Sequence, residues 1–317
     1  MNRTWGQDLR PLNTEGFRRK LEAGLKNKNP RSPLANCLSR KRTIRWGNKA
    51  DPFQRAERQW RIAPEVFRTL IDLKWSFVIQ TQHTDVMMDY RREIVQAGKL
   101  GLITVMPAIS PGWDRDWEIL ERRRTNRPDQ RLAHLKWLAK KGVPIGVNGE
   151  PFIPGFHTVH EFEEALKRLK SAGIPSYNTY NLHLNEFVAK RLHGIGLDIE
   201  RIWWMNQDAQ WKPILQQLLD LSKKYGIRLG CPDFVNTGPH WREEANTCCG
   251  VNVPNPCTGN THVWKKLSQI GLLDQESFEG NWDGSGNLEM ARKIVSGADC
   301  DFYTLKDAGV GPLIEFD

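Results

Sequence analysis

The sequence predicts an α/β chain: a partial (β/α) TIM-type barrel of parallel strands with helices outside, followed by a cysteine-containing, irregular C-terminal region. Three observations carry this. Short apolar runs alternate with amphipathic runs at a repeat of about 30 residues, the length of one βα unit. Each of the first four apolar runs empties into a polar cluster, and strand C-terminal ends are where α/β barrels keep their chemistry. Three of the amphipathic runs close on a glycine (Gly142, Gly173 and Gly226), as helix C-termini do.

Residues 1–42 read as a basic arm with a helix over 14–26 and a Pro/Asn-rich connector to Asn36. The first strand, 43–46, leads to Gly47, Asp51, Pro52, Phe53, Gln54 and Glu57, and a helix over 53–74 is expected to break before Pro64. The strand 76–80 ends in Thr81-Gln82-His83-Thr84-Asp85, with a helix over 86–97. The strand 101–106 runs into Pro107-Ala108-Ile109-Ser110-Pro111-Gly112. Pro128 suits the first turn of a helix over 128–141, in which Leu132, Leu135 and Leu138 make an apolar stripe. The strand 143–147 delivers Asn148-Gly149-Glu150-Pro151-Phe152-Ile153-Pro154-Gly155. A helix over 160–172, a strand over 174–178 and a helix over 185–193 follow. Next come a strand over 198–204, a helix over 213–225 and a strand over 227–230, making seven strands in all. Past residue 235 the pattern dissolves into Asn, Gly, Pro and Cys, with short helices near 263–270 and 288–296. The expected organisation is therefore an arm (1–42), a barrel-like region (43–234) and a C-terminal extension (235–317).

Composition narrows the function classes. With 39% hydrophobic and 26% charged residues, the chain has no apolar run near the roughly 18 residues of a membrane span. Its first residues lack the apolar stretch of a secretory signal, so a cytoplasmic location is expected. The net charge of +9 favours anionic partners, nucleic acid or a nucleotide first. A solvated basic surface plus the basic arm is the plainer explanation. Arg201-Ile202-Trp203-Trp204 sets two rings beside a cation, an arrangement able to seat a base, although tryptophan in a large α/β protein is more often core.

The polar strand ends resemble a known family. The series Gly47, Asp51, Pro52, Phe53, Gln54 and Glu57 matches a strand-end motif of radical S-adenosylmethionine (SAM) enzymes, in the branch of spore photoproduct lyase and the DNA repair photolyase-like proteins. Thr81-Gln82-His83 matches the end of its next strand. Arg131, Leu132, Leu135, Leu138, Gly142, Val143 and Pro144 match a helix-to-strand unit, and Pro151 to Gly155 its following loop. These motifs cover somewhat under half of the chain, in order. The resemblance implies SAM and a [4Fe–4S] cluster as cofactors and radical chemistry on nucleic acid or a nucleotide. It also implies that Asp51, Gln54, Glu57, Gln82, Ser110, Asn148 and Glu150 hold SAM, as carboxylates and amides suited to an ammonium, a ribose and an adenine edge. Read without it, Asp51 and Glu57 are a turn residue and a helix-start acid. Gln82 stands where some relatives carry Lys.

One feature of the family is missing. Its cluster is held by a C-x3-C-x2-C loop, which this sequence lacks. The chain is expected to start just downstream of that loop, as a fragment, one part of a split enzyme whose partner polypeptide carries the cluster, or a barrel without radical chemistry. Four of six cysteines, Cys231, Cys248, Cys249 and Cys257, fall close together and are the candidate metal ligands, for Fe–S or zinc, with His240 or His262 as substitutes. Buried inert thiols are the competing reading. No catalytic residue is assigned. The alternative to an enzyme is a non-catalytic nucleic-acid-binding or partner subunit on a degenerate barrel. A zinc hydrolase is disfavoured because His83, His157 and His183 have no ligand spacing.

Overall fold

Six parallel strands in chain order frame the structure, a computed structural model that describes residues 11–230 apart from Arg40, Arg42, Asn48, Lys49, Tyr180, His183 and Asn185. Strands β1 (Ile44–Trp46), β2 (Phe77–Thr81) and β3 (Ile103–Pro107) form one sheet, and β4 (Val147–Asn148), β5 (Ser176–Asn178) and β6 (Arg228–Gly230) a second. Every pairing is parallel. Two isolated parallel bridges, Val105 to Ile145 and Ala108 to Asn148, join β3 to the β4 side. The result is a run of strands in the order a (β/α) barrel uses, with no pairing that closes it among the described residues.

Helices α1 (Thr14–Lys26) and α2 (Pro33–Ser39) precede the strands. Helices α3 (Glu57–Trp60) and α4 (Ala63–Asp72) follow β1, while α5 (Thr84–Met87), a 3-10 turn (Met88–Tyr90) and α6 (Arg91–Lys99) follow β2. After β3 come α7 (Trp113–Ile119) and α8 (Pro128–Lys140), and after β4 comes α9 (Val159–Ser171). Helices α10 (Glu186–His193), α11 (Ile199–Met205) and α12 (Asp208–Tyr225) lie between β5 and β6.

Strand residues alternate between two faces. Phe77, Ile79, Ile103, Val105, Ile145, Val147, Tyr177 and Leu229 join the main core with helix residues such as Phe67, Ile94, Leu135, Phe162 and Leu218. The ring of Phe162 on α9 meets that of Tyr177 edge-on, centroids 5.5 Å apart. This is the helix-covered face. A satellite core of Ile153, Leu182, Leu192 and Ile202, with Leu120 and Phe156 against it, lies apart.

Two expectations change and one holds. The run 198–204 is helix α11 and not a strand. Asp198 caps it by accepting the Arg201 N–H at 3.0 Å, and Ile202 is buried while Trp203 and Trp204 are exposed, a helical and not a two-residue period. Six strands are therefore present among the described residues. The helix expected over 53–74 breaks before Pro64 as expected, parted into α3 and α4 where Arg61 takes a left-handed conformation, and it begins only at Glu57. The stretch after β3 adds α7, over residues to which the sequence assigns no element. No helix of the described residues is long and apolar enough to cross a membrane.

Candidate functional site

The face opposite the helices is polar, and strand register orders it into two levels. At the mouth, Ala108 stands beside Asn148, Asn148 beside Asn178, and Asn178 beside Gly230. The Thr81–Pro107 pair brings Gln82 alongside Ala108. One level deeper, Gln80 pairs with Met106 and Ser176 with Arg228. Gly146 lies between Met106 and Ser176: a Cβ placed on it would come 2.8 Å from Ser176 Oγ and 3.3 Å from Met106 Cγ. Arg45 of β1 joins this face by donating from Nε to Gln80 Oε1 at 2.7 Å.

Amides at this position are expensive to bury. Gln80 Nε2, Asn148 Oδ1, Ser176 Oγ and both side-chain polar atoms of Asn178 are buried with no hydrogen-bond partner. A buried polar atom left so costs about 1–3 kcal/mol, and such groups mark functional positions or a missing polar molecule. Five of them on one face, at the C-terminal ends of parallel strands, point to a polar ligand held there.

The expected site residues divide. Asn148, Glu150 and Gln82 lie at the strand ends, on or beside this row. Asp51 reaches the same rim but is committed to the chain. Its Oδ1 accepts from Phe53 N–H (2.9 Å) and the Thr81 hydroxyl (2.6 Å), and its Oδ2 from Gln82 N–H (2.7 Å). It thereby fixes the loop after β1 to the end of β2. Gln54 is half-buried in that loop. Glu57 turns into the helix layer, where Oε1 accepts from Ala63 N–H and the Tyr90 hydroxyl, both at 2.8 Å. Burial and then that bond to Glu57 raise the Tyr90 pKa. Ser110 donates to Asp116.

Asp116 is the hub beneath the loops. Its Oδ2 also accepts from Gly112 N–H (3.0 Å) and faces His157 Nε2 at 2.8 Å, while Arg115 donates to Oδ1. His157 Nδ1 accepts the Ile153 N–H at 2.8 Å, so the ring is the Nε2–H tautomer and donates to Asp116. Burial pushes the Asp116 pKa up, but His157, Ser110 and Arg115 outweigh it and hold it below the ordinary value. Ser110 and His157 thus resemble a nucleophile and its base in composition only. The serine proton points at the carboxylate, and both histidine nitrogens are occupied. A side chain on Gly112 would run into the Asp116 carboxylate, so the turn at Gly112 requires glycine.

Arg131 is buried and donates from all three of its nitrogens. It bonds Asn126 O (2.8 Å), Ala108 O at the end of β3 (2.7 Å), Glu121 and the Thr125 hydroxyl. It therefore ties the 121–126 loop to the mouth and contributes position, not chemistry.

Sequence reading missed Gln80, Ser176, Asn178 and Arg45. A signal was present: a polar or small residue at every second position of otherwise apolar strands (Gln80 and Gln82; Gly146 and Asn148; Ser176 and Asn178). Cys231, Cys248, Cys249 and Cys257, with His240 and His262, lie outside the described residues. Among the described residues no group of three His, Cys, Asp or Glu side chains is placed to hold a metal, and Cys37 forms no disulfide.

No family model matches the chain, and no curated protein matches it in sequence. Solved structures similar in shape include Streptococcus suis SuiB and the same protein bound to S-adenosylmethionine. Each is 12% identical with a TM-score of 0.47, covering 71% of this chain and 44% of SuiB. The chain thus spans less than half the length of SuiB, and a likeness of this size carries no argument about fold or ligand.

Proposed function

We propose that this chain is the SAM-holding α/β part of a radical-SAM-type enzyme, with SAM in the amide-lined mouth. The observation that carries the reading is the set of unpartnered buried polar atoms on Gln80, Asn148, Ser176 and Asn178. Their donor and acceptor types suit SAM. Asn148 Oδ1 and the Glu150 carboxylate are acceptors for an ammonium, Gln80 Nε2 and Gln82 are donors for a carboxylate, and Asn178 offers the donor–acceptor pair an adenine edge takes. Asp51, Gln54, Glu57 and Ser110 hold the loops around them. The strand-end motifs shared with the radical SAM family agree with this choice of ligand.

SAM held there would supply, on one-electron reduction by a cluster from elsewhere and with release of methionine, a 5′-deoxyadenosyl group for hydrogen abstraction. The described residues do not fit an Fe–S cluster, since no group of three His, Cys, Asp or Glu side chains among them is placed to hold a metal. No step is therefore routed through one. The cysteines at 231–257 or a partner polypeptide are the proposed source. Titration calorimetry with SAM, followed by anaerobic reconstitution with iron and sulfide and an assay for 5′-deoxyadenosine, tests both parts. Saturable binding that weakens at least tenfold in Asn148→Ala supports the site. Absence of SAM binding before and after reconstitution overturns it.

A further inference from the structure

Two exposed features meet at the satellite core, and the SAM reading uses neither. The first is the loop between α7 and α8, where Arg122, Arg123, Arg124 and Arg127 are all exposed. This loop is held from inside. Arg131 bonds Glu121, Thr125 and Asn126 and reaches Ala108 O at the end of β3, so the arginines stand on the mouth side of the strands. Trp117 Nε1 donates to Thr125 O at 2.9 Å, and the Arg123 and Arg127 guanidinium carbons lie 5.8 and 5.3 Å from Trp117 ring centroids. Arg122 and Arg123 occupy left-handed backbone (φ 52° and 55°), a conformation that non-glycine residues keep only where surroundings enforce it. Four cations are thus presented on a fixed loop.

Acidic neighbours offset part of this charge. Glu118 pairs with Arg123 at 2.8 Å and Asp114 with Arg127 at 3.2 Å. Both pairs are exposed and are worth little to the fold, so a stronger anion can replace the carboxylates. Arg122 and Arg124 have no carboxylate partner among the described residues.

The second feature is α11, where Trp203 and Trp204 are 57% and 53% exposed beside exposed Arg201. Ile202 between them is buried in the same satellite core that Leu120, two residues before Arg122, packs against. Gly155, in the loop after β4, lies against Arg201 and Met205, which keeps α11 next to the mouth-side loops. Rigid arginines answer phosphates, and unpartnered indole faces answer unstacked bases. The overall charge of +9 has the same sign.

We infer that this surface binds single-stranded nucleic acid, with phosphates on the 122–127 arginines and bases stacked on Trp203 and Trp204. An acidic protein would use the arginines without the rings, and a duplex would keep its bases stacked on one another. The surface lies outside the amide row, so SAM binding and strand binding can fail separately.

The test is fluorescence anisotropy of a labelled mixed-sequence DNA strand of about 20 nucleotides, titrated with the full chain at several salt concentrations. The wild type is expected to bind with a strongly negative salt slope. Arg122→Gln with Arg124→Gln should flatten that slope by about 1.4, two phosphate contacts at roughly 0.7 each on a single strand. Trp203→Ala and Trp204→Ala should each weaken binding roughly 5- to 140-fold, the range for one lost base stack, and leave the slope unchanged. All four positions are exposed, and an unchanged circular dichroism spectrum confirms that the variants fold. Binding of duplex as tight as of the single strand overturns the inference, as do equal displacement by polyglutamate, tryptophan variants that bind like wild type, or no binding at all.

Discussion

Arg131 shows how a motif residue can be structural. Its guanidinium is buried, with one donor on the β3 strand end and the rest on the 121–126 loop. Arg131→Ala leaves Glu121 without its buried partner and should cost about 3–5 kcal/mol in urea unfolding. Arg131→Lys should recover little, because one ammonium cannot replace a fork of donors pointing in several directions. His134 makes a second residue-level case. Asn126 Nδ2 donates to the Thr84 hydroxyl (2.7 Å), which in turn shares a hydrogen bond of 2.8 Å with His134 Nδ1. Burial lowers the His134 pKa below its ordinary 6.5, against the pull of Asp85. A folded-state pKa below the unfolded one means that the stability is fully present above about pH 6.5 and is lost as pH falls through the folded value. NMR titration should place the His134 midpoint below 6.5. The wild type should lose more stability between pH 7 and pH 5 than His134→Gln, and a midpoint at or above 6.5 would refute the assignment.

At the scale of elements, the helices whose period is clean were legible. Residues 14–26, 128–141 and 160–172 fall within a residue of α1, α8 and α9, because caps and apolar stripes agree there. Thr158 and Glu161 form a reciprocal capping box at the start of α9, so Thr158→Ala should cost about 1 kcal/mol by chemical denaturation. The run 198–204 misled because Ile and Trp favour strands, while the capping Asp198 and the spacing of Ile199 and Ile202 decide the helix. The strands were legible as apolar runs, but their faces were not. A strand buried on both sides reads as uniformly apolar, and polar residues such as Gln80, Ser176 and Asn178 break that uniformity. That is why Gln80, Ser176 and Asn178 carry no expectation, whereas Asn148 at a strand end and the loops with Asp51 and Glu57 do. Glu57 stands in a recognisable motif and is nevertheless turned into the packing with Tyr90 and Ala63.

Across the whole molecule, the two faces of the strands do opposite work. The helix-covered face holds the fold together through a continuous apolar core, and the polar face gives up stability by burying amides without partners. Protein stability and ligand binding are therefore opposed at those positions. A polar residue kept for structure would weaken the fold when replaced by an apolar one of similar size, and a residue kept for a ligand would strengthen it. The most direct measurement is the melting temperature of wild type and Asn178→Leu, each with and without saturating SAM. SAM should raise the wild-type melting temperature. Asn178→Leu should melt a few degrees higher without ligand, as removal of about 1 kcal/mol of buried polar cost implies, and should lose most of the SAM-induced rise. A variant that melts lower than wild type and still responds fully to SAM would contradict a ligand-holding role for the amide row.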